Sequence, residues 1–136
     1  MYSLCEITNI LGNIKLNIFT DDQIYKEKKN IFNFDNINVF FDINSKVISD
    51  TDCFMTDVYT SMNDRDNSKE EKLKKFQVNS NLINQGKKDA IFMHCLPANI
   101  NLEVTSDVIK SKKSIVKKQA LNRYVAQKGI LKWLSI

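Results

Sequence analysis

Glycine is nearly missing from this chain, with three residues in 136, at positions 12, 86 and 129. No GxGxxG can be assembled from them, which weighs against a phosphate loop for a dinucleotide. Histidine is scarcer still, with His94 alone. The cysteines number three, at 5, 53 and 95, with no CxxC spacing. An odd count without such pairs argues against both a disulfide framework and a structural zinc site. A metal would need carboxylates that no motif supplies, and nothing in the sequence requires a cofactor. Long apolar runs are absent too, and no stretch approaches the ~20 residues needed to span a bilayer. Met1 to Glu6 lack the basic start and apolar run of a signal peptide, and the Arg-rich character of a transit peptide. The expectation is a cytoplasmic protein without a membrane.

Arginine is the last scarcity, and it decides how the net charge of +4 is read. Of 20 cationic residues 18 are Lys, and only Arg65 and Arg123 are Arg. Acids are interleaved among the lysines, with Glu70 and Glu71 inside the Lys69 to Lys75 cluster. That pattern is a solvated helix face, whereas a phosphate-binding stripe calls for Arg and exposed aromatics. No nucleic-acid partner is expected.

What is present alternates between helix and strand. With 43% apolar and 26% charged residues the composition is that of one ordinary globular domain. Leu4, Ile7 and Leu11 repeat at helical spacing before Gly12, which sits where a helix C′ glycine belongs. Strands are expected at 14–19, 37–41, 53–58 and 90–95, with a short fifth at 114–116. Helices are expected at about 21–29, 45–50, from 68, near 81–84 and at 105–109. A last one runs over about 118–134, with Leu121, Val125, Ile130 and Trp133 or Leu134 facing inward. Near-continuous apolar strands between helices predict an α/β fold, a parallel sheet with helices on both faces. Ligands of such sheets bind beyond the carboxyl ends of the strands.

Two strand ends carry unusual chemistry: Asp57-Val58-Tyr59-Thr60-Ser61-Met62 after the third, and His94-Cys95-Leu96-Pro97 after the fourth, at the only proline. Adjacent residues on a strand point to opposite faces, so His94 and Cys95 cannot form a nucleophilic pair. His94 is read as structural support. Taken singly, Asp57 also reads as a helix cap, Ser61 as a turn residue, Cys95 as a small buried hydrophobe and Arg123 as a surface charge.

Together they resemble something more specific. "DAIFMHCLPA" followed by "EVT" (Glu103 to Thr105) is similar to the carbamoyltransferase family, on its ornithine-specific branch, whose fourth strand of the ornithine-binding domain ends in HCLP. "TDVYTSM" resembles that family's TDVWxSM loop, "KLKKFQVNSNLI" its charged helix, and "LNRYVAQKGILKWL" its closing ENRxxAQKAxLxxLL helix. "MYSLCEITNILG" resembles the helix that follows its GDGNN turn. The resemblance implies transfer of the carbamoyl group of carbamoyl phosphate to the δ-amino group of ornithine, giving citrulline and phosphate. It assigns the amino groups of ornithine to Asp57 and its amino-acid head to Ser61 and Met62. Cys95 falls beside the δ-amino group, and Leu96 and Arg123 face the carbamoyl oxygen and nitrogen.

The resemblance also implies what is missing. The STRT and HPxQ segments of the carbamoyl-phosphate domain are absent, as is the GDGNN turn with the strand leading into it. Residues 1–136 then form an incomplete ornithine-binding domain, a Rossmann-like second domain lacking its first, central strand. Activity would need an N-terminal partner, with homo-trimers implied by the family. The alternative is a non-catalytic remnant, or a fragment that binds subunits without chemistry.

Overall fold

A computed structural model describes residues 2–60 and 68–135. Helix α1 (Tyr2–Leu11) closes at Gly12, whose φ of +69° suits glycine, with its N–H bonded to the Thr8 carbonyl at 3.1 Å. The side chains α1 buries are Cys5 and Thr8, while Ile7 and Leu11 are exposed. The inward stripe is therefore offset by one residue from the Leu4, Ile7, Leu11 repeat. Strand β1 (Leu16–Phe19) is followed by α2 (Asp22–Glu27), whose first turn is capped by the Asp21 carboxylate accepting the Gln23 N–H. After a 3-10 turn comes β2 (Ile37–Phe40), parallel to β1 with Leu16 beside Ile37 and Phe19 beside Phe40. The rings of Phe19 and Phe40 stack at 5.2 Å.

The second half begins with α3 (Ser45–Ser49), capped by Asn44, and β3 (Cys53–Thr56). Helix α4 (Ser68–Leu73) and α5 (Ser80–Asn84), the latter capped by Asn79, lead to β4 (Ile91–His94). Strands β3 and β4 are parallel, with Phe54 beside Phe92 and Thr56 beside His94. Helix α6 (Ser106–Lys110) and α7 (Val116–Leu134) complete the chain. The expected fifth strand is reduced to a single bridge from Ser114 to Phe92. Gly86 is where α5 meets the sheet: a Cβ there would stand 2.5 Å from the Phe54 ring.

The fold is α/β with short parallel strands, in two pieces. β1 pairs only with β2, β3 only with β4 among the named strands, and no ladder joins β1 to β3. One core cluster (Ile48, Phe54, Val78, Ile83, Ala90, Phe92, Val104, Val108, Val116) lies around β3 and β4, and Phe19 packs against it from the other half. Helix α7 departs from expectation. Val116 is buried, but residues 120–135 are all exposed, including Leu121, Val125, Ile130, Trp133 and Leu134. The helix leaves the domain after its first turn, so none of these side chains faces inward.

Candidate functional site

The register of β3 against β4 builds the site. Thr56 stands beside His94, so the chain emerges from the two strands together, as Asp57 and as Cys95. Alternation sends Phe92 and His94 into the core, whereas Asp57 and Cys95 are exposed. The two are near enough to feel each other's charge. Partial burial pushes the Cys95 thiol above its ordinary range, and the Asp57 carboxylate raises it further by disfavouring a second negative charge. Asp57 Oδ1 accepts the Val58 N–H at 2.9 Å, which turns the chain away from the strand.

His94 is fully enclosed and pairs with no sulfur. Its Nδ1 lies 2.6 Å from the Cys95 carbonyl oxygen. A carbonyl only accepts, so Nδ1 carries a hydrogen. Nε2 lies 3.1 Å from Glu103 Oε1, with both side chains inaccessible to solvent. One hydrogen bond therefore joins the two buried side chains. The same Oε1 accepts the Asn99 N–H at 2.5 Å. This pair pins the 95–103 loop, including the cis Leu96-Pro97 bond, against the strand end. His94 is structural support, as its position on the strand predicts.

Three polar residues here were given no role from the sequence. Glu103 is one, an acid between Leu102 and Val104 nine residues past the only histidine. Its signals were that apolar setting and its place in the EVT segment. Tyr59 is another: its hydroxyl and Glu103 Oε2 are both buried without a hydrogen-bond partner. Burial, then the Glu103 charge, pushes the Tyr59 phenol far above its ordinary range. The third, Gln119, accepts the His94 backbone N–H at 3.0 Å.

The structure brings Asp57 and Cys95 together. Leu96 follows Cys95 with its side chain half exposed, and Arg123 is exposed one helical turn beyond Gln119. Ser61 and Met62 lie outside the described residues. Among the described residues no group of three or more His, Cys, Asp or Glu could hold a metal ion, and no helix is long and apolar enough to cross a membrane.

The chain is similar to known proteins. Residues 1–134 match the family of aspartate/ornithine carbamoyltransferases over its Asp/Orn binding domain. An ornithine carbamoyltransferase from Methanococcus maripaludis is 50% identical over 88 residues, which cover 62% of this chain and 29% of that protein. One from Rhodopseudomonas palustris is 47% identical over 89 residues, covering 65% of this chain and 29% of its own length. Among solved structures, the ornithine carbamoyltransferase from Burkholderia thailandensis superposes with a TM-score of 0.79 at 27% identity. That match takes in 98% of this chain and 42% of the other. The chain thus spans less than a third of the length of these curated relatives.

Proposed function

The chain belongs to the aspartate/ornithine carbamoyltransferase family through its Asp/Orn binding domain, and from that premise we propose that it supplies the ornithine side of ornithine carbamoyl transfer. The reaction moves the carbamoyl group of carbamoyl phosphate onto the δ-amino group of ornithine, giving citrulline and phosphate. The observation that carries the reading is the β3–β4 register, which delivers Asp57 and Cys95 side by side. Asp57 receives hydrogen bonds from the amino groups of ornithine. Ser61 and Met62 hold its amino-acid head. Cys95 lies beside the δ-amino group, which attacks only when neutral. The Leu96 backbone and Arg123 face the carbamoyl oxygen and nitrogen, where charge develops in the tetrahedral intermediate. Most of the rate comes from holding amine and carbamoyl carbon in line. No cofactor is required.

Residues 1–136 act here as an incomplete ornithine-binding domain. The carbamoyl-phosphate half, a homo-oligomeric assembly (a trimer by family) and a cytoplasmic setting belong to the same proposal. A second reading, a subunit-binding portion without chemistry, draws on the exposed apolar side chains of α7, Leu121, Tyr124, Val125, Leu131 and Trp133 among them. One experiment separates the two. The purified chain is mixed with the carbamoyl-phosphate half of an ornithine carbamoyltransferase, and citrulline is measured. The chain alone makes none, the mixture makes it, and Cys95→Ala lowers the mixture's rate by roughly a hundredfold or more. Association without citrulline supports the second reading. Turnover indifferent to Cys95→Ala and Asp57→Asn overturns the first.

A further inference from the structure

The end of β4 poses a hydrogen-bonding problem that one side chain solves. The segment before α7 pairs with the free edge of β4: Phe92 N–H donates to Lys113 O at 2.8 Å, and Ile115 N–H donates to Phe92 O at 2.9 Å. In a parallel ladder the His94 N–H would next donate to the Ile115 carbonyl. That carbonyl is already taken, by the Gln119 N–H at 2.9 Å, because α7 has begun. The Gln119 side chain fills the gap, its Oε1 accepting the His94 N–H at 3.0 Å.

That bond also orients the rest of the amide. A backbone N–H can only donate, so the oxygen must face His94 and the NH2 must face the other way. There it meets the Cys95 sulfur, with Nε2 to Sγ 3.9 Å. Val116, buried one turn earlier, and the Ser114 bridge to Phe92 hold this first turn of α7 in place.

We propose that Gln119 is the positioning residue for the Cys95 thiol, its amide oxygen anchoring the strand end while its NH2 donates to the sulfur. The side chain replaces a missing ladder bond and, in the same stroke, aims the thiol. Its importance for transfer rests on the role given to Cys95 above, but the clamp itself does not. The Asp57 carboxylate also acts on the sulfur, adding to the effect of burial.

The test uses the full chain and reads Cys95 alkylation by iodoacetamide against pH, with peptide mapping to separate the three cysteines. Exposed Cys53 is the internal standard. Amide hydrogen exchange at His94 is read in parallel. Gln119→Glu keeps an oxygen for the His94 N–H but sets a carboxylate where the donor stood. It leaves His94 exchange within about threefold and slows Cys95 alkylation at pH 8 by roughly tenfold, the profile moving to higher pH. Gln119→Leu removes both bonds and speeds His94 exchange by at least about tenfold. The proposal is overturned if Gln119→Glu leaves the Cys95 profile unmoved relative to Cys53, or if Gln119→Leu leaves His94 protected. Should Gln119→Leu not fold, the Gln119→Glu profile decides alone. Unchanged ornithine use by these variants in the reconstituted mixture, with both results intact, would count against the Cys95 role and leave the clamp standing.

Discussion

The two halves of the molecule use the same element, a pair of short parallel strands, and reach different ends. Around β3 and β4 nine apolar residues form one buried cluster, drawn from the strands, four helices and the segments between them. In β1 and β2, by contrast, only Ile18 of eight strand residues is buried. A two-stranded ribbon is marginal by itself, and parallel strands reach stability by being covered on both faces. One face of the β3–β4 pair is covered, burying Phe54, Phe92 and His94 while Cys53 and Met55 stay exposed, whereas the β1–β2 pair buries Ile18 alone. The chemistry follows the packing: Asp57, Cys95, His94, Glu103 and Gln119 all stand at the covered pair. A site needs its side chains held to a fraction of an ångström, and only the packed half can hold them.

The largest effect expected separates the halves by stability. Phe92→Ala empties the centre of the cluster and costs about 3–5 kcal/mol in denaturant unfolding. Val39→Ala on half-buried β2 costs about 1 kcal/mol or less. Equal losses at the two positions would erase the distinction.

Next comes the buried pair. Glu103→Ala strands His94 Nε2 and the Asn99 N–H without partners, at a cost of about 3 kcal/mol in the same unfolding assay. A loss under about 1 kcal/mol would show that the 95–103 loop does not depend on that carboxylate.

Tyr59→Phe is expected to be mild and to change with pH. The hydroxyl has no partner, so its removal shifts stability by about 1 kcal/mol or less at neutral pH. Because burial and Glu103 raise the folded phenol, the folded state keeps that proton after the unfolded chain has released its own. Stability therefore falls as pH rises above about 10, the ordinary phenol value. Tyr59→Phe lacks that part of the alkaline loss, and thermal melts from neutral to alkaline pH measure the difference. A variant that loses stability in step with the parent fails this expectation.

The smallest effect concerns α7. Leu121→Gln and Trp133→Gln, both at exposed positions, shift stability by no more than about 0.5 kcal/mol. A loss above about 2 kcal/mol would place these side chains in a core after all.

How much of this was legible follows from which signals are local. The apolar runs at 37–41, 53–58 and 90–95 became strands trimmed by one or two residues. The opposite orientation of His94 and Cys95 came from alternation alone. Gly12 was legible because only a helix end needs its left-handed φ. The direction of α7 was not: periodicity shows that Leu121 and Val125 recur on one face, but not whether the domain offers a surface to receive them. In α1 the buried positions are Cys5 and Thr8, set by what lies beneath the helix and not by its most apolar side chains. The roles of Glu103 and Gln119 were not legible for a related reason. Each meets His94 only because a loop folds back or a helix starts where a ladder bond is due.

Ornithine titrated into the full 15N-labelled chain, followed by amide chemical shifts, shows which half of the molecule meets the substrate. Shifts are expected at Asp57 to Thr60 and at Cys95 and Leu96, with β1 and β2 unmoved and the response lost in Asp57→Asn. Shifts confined to the β1–β2 half, or a response identical in Asp57→Asn, would contradict that expectation.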